Sequence, residues 1–130
     1  MDLILDTHVA IWALDDDSRL SKQARSIIED ENNNIYFSAI SVMEVSIKHL
    51  KNKLAMPRSG KDFYNQCLEA GYFTLPFKPK HAILLDEIKN EFHKDPFDRT
   101  LIAQAKQEKM FLVTHDEKIA NYNEEFIIKV

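Results

Sequence analysis

Short apolar runs and helical segments alternate along this chain, and the alternation limits the folds that it can adopt. Apolar or β-branched runs occur at residues 3–5, 35–37, 72–75, 111–114 and 126–128. Each run is too short for a helix, so we predict that each forms a strand. Strands that alternate with helices favour a parallel sheet. The sequence therefore predicts an α/β fold with a central, mostly parallel sheet of about five short strands flanked by helices on both faces.

The segments between these strands have helical periodicity. It predicts helices that begin at 6–7 and at 96, and helices over residues 21–31, 42–54, 61–70 and 81–92. In the helix over 42–54, we expect the inward face to carry Met43, Ile47, Leu50 and Leu54. In the helix over 81–92, the expected inward face is Ile83, Leu84, Ile88 and Phe92. Residues 38–41 are expected to lead from the second strand into the helix at 42.

Composition narrows the class of protein. With 130 residues, 45% of them hydrophobic, the chain is predicted to be a single domain over residues 1–130. The single cysteine, Cys67, excludes an intrachain disulfide and is typical of a reducing cytoplasm. We expect no membrane segment, because no window approaches the roughly 18 apolar residues that a span requires. The net charge of -4 argues against binding nucleic acid through bulk charge, although a local basic track is compatible with it.

Residues 95–98, Asp-Pro-Phe-Asp, place two carboxylates at the start of a helix that is otherwise apolar. Asp95 is predicted to be the N-cap and Pro96 the first helical residue. Asp98 then lies on or beside the face that carries Ile102 and Ala105. A carboxylate there requires a cation, hydrogen-bond donors or a raised pKa. Alternatively, Asp95 and Asp98 form only a capping pair.

Three further acids follow the ends of predicted strands. Asp6 follows the first strand, Glu44 lies in the helix after the second, and Asp116 comes after the fourth. Parallel strands gather their carboxyl ends at one edge, where the functional crevice of such sheets lies. Asp98 joins these acids only if its helix begins at the same edge. Clustered carboxylates require a counter-ion, and oxygen ligands without thiols favour Mg²⁺ or Mn²⁺.

Each of these acids also has a purely structural explanation. Asp6 can cap the first helix, and Asp116 can be an ordinary loop acid. The run from Ser41 to Glu44 fits the Ser-x-x-Glu capping box. Taken together, however, the acids suit hydrolysis of a phosphodiester bond with divalent ions. His93 and His115 are candidates for a supporting role, or are simple loop histidines.

Several short motifs resemble those of a known family. They are residues 5–9 with Trp12, Ser38 and Ser41 ahead of Glu44, the stretch 93–105, and residues 113–116. In order and spacing these closely resemble PIN-domain proteins, in particular the VapC-type toxins of bacterial type II toxin–antitoxin systems, and the likeness covers essentially the whole chain. The resemblance implies an endoribonuclease that depends on Mg²⁺ or Mn²⁺, that a cognate antitoxin inactivates and that usually forms a homodimer.

By position, the resemblance implies that the metal-binding and catalytic residues are Asp6, Glu44, Asp98 and Asp116. Residues with an expected supporting role are Asp95, Thr7, Thr114 and Arg99. Thr7 can equally be a helix-start residue, and Thr114 a strand-end residue. A noncatalytic PIN-like module for RNA binding or assembly is the alternative function. A phosphoacceptor receiver domain fits less well, because residues 75–77, Leu-Pro-Phe, stand where it needs an aspartate.

Two surfaces are candidates for contact with partners. A basic track for the RNA substrate is predicted at Lys48, Lys51, Lys53 and Arg58, with His49 and Lys61 nearby. A solvated helix face explains the same residues. An apolar groove for the antitoxin is predicted at Ile11, Trp12, Leu14 and residues 50–56, unless these residues belong to the core.

Overall fold

The fold is built on a parallel sheet at its centre. The structure is a computed structural model that describes residues 1–88 and 95–130. Its strands are β1 (Asp2–Leu5), β2 (Asn34–Ser38), β3 (Phe73–Leu75), β4 (Phe111–Thr114) and β5 (Ile127–Lys129). They lie in the order β3-β2-β1-β4-β5, and every neighbouring pair is parallel. The predicted α/β sheet of five short strands is therefore confirmed.

Helices connect the strands. They are α1 (Thr7–Leu14), α2 (Lys22–Glu29), α3 (Ala39–Lys51), α4 (Gly60–Glu69), α5 (Pro79–Leu84), α6 (Pro96–Glu108) and α7 (Glu117–Ala120), with a 3₁₀ turn at Leu85–Glu87 after α5. The helix predicted over 81–92 thus begins earlier and its regular part is shorter. Phe92 and His93 lie outside the described residues. No helix of the described ranges is long and apolar enough to cross a membrane.

Both faces of the sheet are covered. Leu3 and Leu5 of β1 pack on one face, in a core that includes Val9 of α1 and Phe63 of α4. Ile4, between them, packs on the opposite face in a separate core. That second core contains Leu101 and Ile102 of α6 and Ile119 of α7. Side chains alternate across a strand, so β1 is buried on both sides, as its continuous apolar run predicts.

The start of α3 differs from the prediction. The helix begins at Ala39, not at residue 42, and Ser38 is its N-cap, with its Oγ accepting the Ile40 N–H at 3.0 Å. Both Ser38 and Ser41 are good capping residues, and the sequence does not distinguish them. The capping box from Ser41 to Glu44 is therefore wrong. Ser41 and Glu44 lie inside the helix and are buried.

The inward face of α3 was also predicted wrongly. Met43, Ile47, Leu50 and Leu54 are 46%, 43%, 82% and 94% exposed, and Leu54 lies beyond the helix end at Lys51. The buried face carries Ile40, Ser41, Glu44 and Val45. An apolar stripe identifies a helix face but not what covers it. Similarly, Ile83 of α5 was expected to face the core and is 72% exposed.

Candidate active site

The predicted acids surround one cavity of about 370 Å³. Five carboxylates line it, those of Asp6, Glu44, Asp95, Asp98 and Asp116. Asp98 is included because α6 ends at Glu108, just before β4, and so must begin at the carboxyl edge of the sheet. We call this cavity, defined by its five carboxylates, the acidic cleft.

Of the two acids that follow the ends of strands, Asp6 is buried and Asp116 is exposed. The Asp6 side chain is 4% exposed, and its Oδ1 accepts the Val9 N–H at 2.9 Å. Its Oδ2 accepts the Thr114 hydroxyl, whose oxygen in turn accepts the Asp116 N–H at 3.0 Å. Burial raises the pKa of the Asp6 carboxyl, and the bonds from Thr114 and Val9 oppose that rise. The ionised form is therefore costly here unless a cation stabilises it.

Glu44 has a different environment, on the buried face of α3. It is 3% exposed, and its Oε1 accepts the Thr7 hydroxyl at 2.7 Å. Thr7 Oγ1 also lies 2.9 Å from the hydroxyl of Ser41. The Oε2 atom accepts the ammonium of Lys48, one helical turn further along. The two threonines with a predicted supporting role thus each donate to one of the buried acids, Thr7 to Glu44 and Thr114 to Asp6.

Of the other three acids, Asp95 and Asp116 cap helices while they line the cleft, and Asp98 lies in the first turn of α6. Asp95 is the N-cap of α6, and its Oδ1 accepts the N–H groups of Phe97 and Asp98 at 2.8 and 3.2 Å. Asp116 is the N-cap of α7, with its Oδ1 on the Lys118 N–H at 2.8 Å. Capping therefore holds for Asp95 and Asp116, and it does not prevent either residue from lining the cleft.

The donor set fits a hard divalent cation. Five carboxylates and two lysines, Lys48 and Lys118, line the cleft, which leaves three negative charges in excess when the histidines are neutral. Oxygen ligands of this kind suit Mg²⁺ or Mn²⁺. Within residues 1–88 and 95–130, no three His, Cys, Asp or Glu side chains are already grouped closely enough to hold a metal ion. Hydrogen bonds and the Lys48 ion pair instead engage the carboxylates of Asp6 and Glu44.

The predicted basic residues divide between separate places. Lys48 lines the cleft, whereas Lys51 and Lys53 are exposed and do not line it. Arg58 pairs with Asp15 on a different surface. Arg99 does not line the cleft, since its guanidinium donates to the carbonyls of Leu85 and Ile88, the latter at 2.9 Å.

Aromatic side chains form one wall of the cleft. Trp12 contacts His115 edge to face, with 5.2 Å between ring centroids, and lies 6.2 Å from the ring of His8. His115 is fixed further by a bond between its Nδ1 and the Val130 carbonyl at 2.9 Å. Sequence reasoning missed His8, Lys118 and the hydroxyl of Ser41. Only the helical spacing of His8 and Trp12, and of Ser41 and Glu44, signalled a shared face.

A second cavity, of about 590 Å³, adjoins the acidic cleft. Its lining includes Ile11, Leu54, Met56 and Arg58, and it shares His8 and Trp12 with the cleft. We call it the lateral groove, defined by these six residues. Of the apolar surface predicted at Ile11, Trp12, Leu14 and residues 50–56, the groove includes Ile11, Trp12 and residues 54–56. Residues 50–53 do not line it, and Leu14 lines a different cavity.

The fold and the site define an α/β protein with an acidic cleft at the carboxyl edge of a parallel sheet. The family model described as PIN domain matches residues 3–125, so the chain belongs to the PIN domain family, as its motifs predict. A comparison with curated proteins found no significant match.

Solved structures of similar fold cover nearly the whole chain. VapBC2 from Rickettsia felis, bound to a DNA fragment from their promoter, has 19% identity and a TM-score of 0.71, and the match covers 100% of this chain and 98% of that one. FitAB bound to an IR36 DNA fragment has 23% identity and a TM-score of 0.66, over 98% and 94%. FitAcB from Neisseria gonorrhoeae has 22% identity and a TM-score of 0.60, over 98% and 96%. At these identities the likeness establishes the fold.

Proposed function

We propose that this chain is an endoribonuclease that depends on Mg²⁺ or Mn²⁺ and acts as the toxin of a type II toxin–antitoxin pair in the cytoplasm. The observation that carries the proposal is the acidic cleft, in which carboxylates from four separate parts of the chain line one cavity. Helix capping explains Asp6, Asp95 and Asp116, but not Glu44, which lies buried inside α3 and caps no helix. Membership of the PIN domain family and the likeness to VapBC2 and FitAB support the same function.

The proposed ligands of the divalent ion are Asp6, Glu44, Asp98 and Asp116. When bound, such an ion supplies Lewis-acid activation of water and neutralises charge that develops on the phosphate. Thr7 holds Glu44 in orientation, and Thr114 does the same for Asp6. Asp95 fixes the first turn of α6 and therefore the position of Asp98.

A cognate antitoxin is the proposed partner, and the lateral groove is its proposed binding surface. The groove combines apolar side chains with the ion pair between Arg58 and Asp15. We also propose a homodimer. The exposed apolar side chains Met43, Ile47 and Leu50 of α3 provide surface for such contacts, because exposed apolar patches mark sites of association.

Sequencing of RNA ends tests the proposed activity. The purified protein is incubated with total cellular RNA and Mn²⁺, and the 5′ ends that appear are compared with those from an EDTA control and from Asp98→Asn protein. We expect discrete new ends that require both the metal and Asp98. An identical set of ends from Asp98→Asn protein would overturn the assignment.

A noncatalytic RNA-binding or assembly module is the second candidate. Two observations favour it. Glu44 forms an ion pair with Lys48, and among the described residues no three His, Cys, Asp or Glu side chains are grouped closely enough to hold a metal ion. The same experiment discriminates between the candidates. A silent module binds RNA in a gel-shift assay with Mn²⁺ present and produces no new ends.

A further inference from the structure

The ion pair between Lys48 and Glu44 lies where a divalent cation is expected. Glu44 is 3% exposed and lines the acidic cleft, and the ammonium of Lys48 contacts its Oε2. We propose that Lys48 is an internal counter-ion of the cleft, and that a divalent metal ion and the Lys48 ammonium compete for Glu44. This inference rests on the proposed function, because it concerns the regulation of the same site.

Glu44 requires a cation whether or not metal is bound. Its Oε1 receives a neutral hydrogen bond from Thr7 at 2.7 Å, and Lys48 is the cation that the described structure places on the other oxygen. A buried carboxylate without a positive partner is strongly disfavoured. Lys48 therefore stabilises the cleft in the metal-free protein.

Lys48 is also able to leave Glu44. Its side chain is 39% exposed, and its flexible stem starts one helical turn from Glu44 on the same face of α3. The lysine lines the same cavity as Asp98 and Asp116. Once displaced, its ammonium remains within the cleft, where a phosphate group is able to accept it. Metal binding thereby turns Lys48 from a counter-ion into a phosphate contact.

Competition has a measurable consequence. A cation on Glu44 Oε2 must be moved before a metal ion takes that oxygen, so the ion pair weakens metal binding by the free energy of that displacement. Removal of the charge in Lys48→Met should therefore strengthen binding of Mn²⁺ by about tenfold, which lies within the usual range of coupling between two binding events. A lysine that only contacted phosphate would have no such effect.

Lys118→Met is the matched control. Lys118 lines the same cleft, whereas the ion pair of Glu44 is formed with Lys48. Lys118→Met removes one positive charge from the cleft, as Lys48→Met does, but it does not free Glu44. Because solvent screens the more distant charge, we expect metal affinity to rise by no more than about twofold. Lys48→Gln is a second neutral variant whose amide is still able to donate to Glu44, which protects the fold if Lys48→Met does not fold.

Isothermal titration of the wild-type protein and these variants with Mn²⁺, without RNA, tests the competition. Thermal unfolding in EDTA and in Mn²⁺ gives a second readout. We expect the neutral Lys48 variants to have a lower Tm in EDTA, tighter Mn²⁺ binding and a larger rise in Tm with Mn²⁺ than wild type. Mn²⁺ affinity in the neutral Lys48 variants equal to that of wild type or of Lys118→Met would overturn the inference while leaving the metal site intact. The absence of Mn²⁺ binding in wild type and every variant would instead overturn the proposed function.

Discussion

The hydroxyl of Thr7 lies 2.7 Å from Oε1 of Glu44, although 37 positions separate the two residues in the chain. Thr7 is the first residue of α1, and Glu44 is on the buried face of α3. The bond therefore joins two helices at the floor of the acidic cleft. Its donor is neutral, so it orients the carboxylate without removing its charge.

Thr7→Val tests this orientation. Valine keeps the branched shape but leaves Glu44 without its hydroxyl donor, so we expect a loss of about 1–3 kcal/mol in the free energy of unfolding. RNA cleavage should fall about tenfold through misplacement of the carboxylate. Urea denaturation and initial cleavage rates give the two values. Thr7→Ser, which retains the hydroxyl, should remain close to wild type, and equal losses in both variants would contradict the role of the hydroxyl.

Asp95→Asn should be milder than Asp98→Asn. Asn caps a helix about as well as Asp, so the bonds from Asp95 to the first turn of α6 are expected to persist, with stability within about 0.5 kcal/mol of wild type. Cleavage should therefore stay within about tenfold of wild type. Asp95→Ala is the control, since it removes the cap at a cost of about 1 kcal/mol. If Asp95→Asn lost both cleavage and Mn²⁺ binding as completely as Asp98→Asn, Asp95 would be a metal ligand.

Local signals in the sequence predicted the strands and the cap of α6. Asp95 and Pro96 specify the start of α6 through interactions within four residues, and the apolar run of β1 reports burial on both faces. The convergence of Asp6 and Asp116 followed from the rule that parallel strands end at one edge. Such features depend on neighbours in the chain or on the class of fold, so they can be predicted from the sequence alone.

Features of α3 depended on packing instead. Its exposed apolar stripe and its buried polar residues reverse the usual pattern. Glu44 faces the cleft and Ser41 is buried against Thr7, while Ile47 and Leu50 face outward. The apolar stripe alone does not reveal this rotation. Lys48 and Glu44 have the i,i+4 spacing of an ordinary ion pair on a helix surface, which contributes little to stability. This pair differs because Glu44 is buried, and the sequence does not reveal that burial.

Leu54→Asp should separate partner binding from stability. Leu54 is 94% exposed and lines the lateral groove, so the substitution should change the free energy of unfolding by no more than about 0.5 kcal/mol. Expression of the wild-type chain is expected to slow growth, and a protein encoded beside it should restore growth.

The Leu54→Asp protein should remain toxic in the presence of that neighbour, because a charge in the groove opposes burial of an apolar partner surface. Growth curves with and without the neighbour give the result. Ile83→Asp is the matched control, since Ile83 is also exposed, at 72%, but does not line the groove. Rescue of Leu54→Asp as complete as that of the control would exclude the groove as the binding surface.

Alkaline pH should destabilise the fold through Cys67. Burial raises the pKa of this thiol from 9.0 to about 12. As the pH rises, the unfolded state therefore loses the thiol proton before the folded state does. The contribution of the thiol to the free energy of unfolding is fully present below pH 9 and is lost as the pH rises towards 12. Urea midpoints across this range should fall less steeply for Cys67→Ala than for wild type. If the urea midpoints of both proteins fell equally steeply with pH, the pKa of the thiol would be the same in the folded and the unfolded state.

The most direct test of the acidic cleft is the rate of Mn²⁺-dependent RNA cleavage by Asp6→Asn protein. Asparagine preserves the size of the side chain, its oxygen can still accept the Val9 N–H, and the Thr114 hydroxyl can rotate to accept from its amide nitrogen. The fold should therefore persist, as judged by circular dichroism and Tm. The loss of one ligand charge should lower the cleavage rate by at least about 100-fold, since electrostatic stabilisation is usually the largest contribution to catalysis. Cleavage by folded Asp6→Asn protein at the wild-type rate, with the same dependence on Mn²⁺, would contradict a metal-dependent nuclease site at this edge of the sheet.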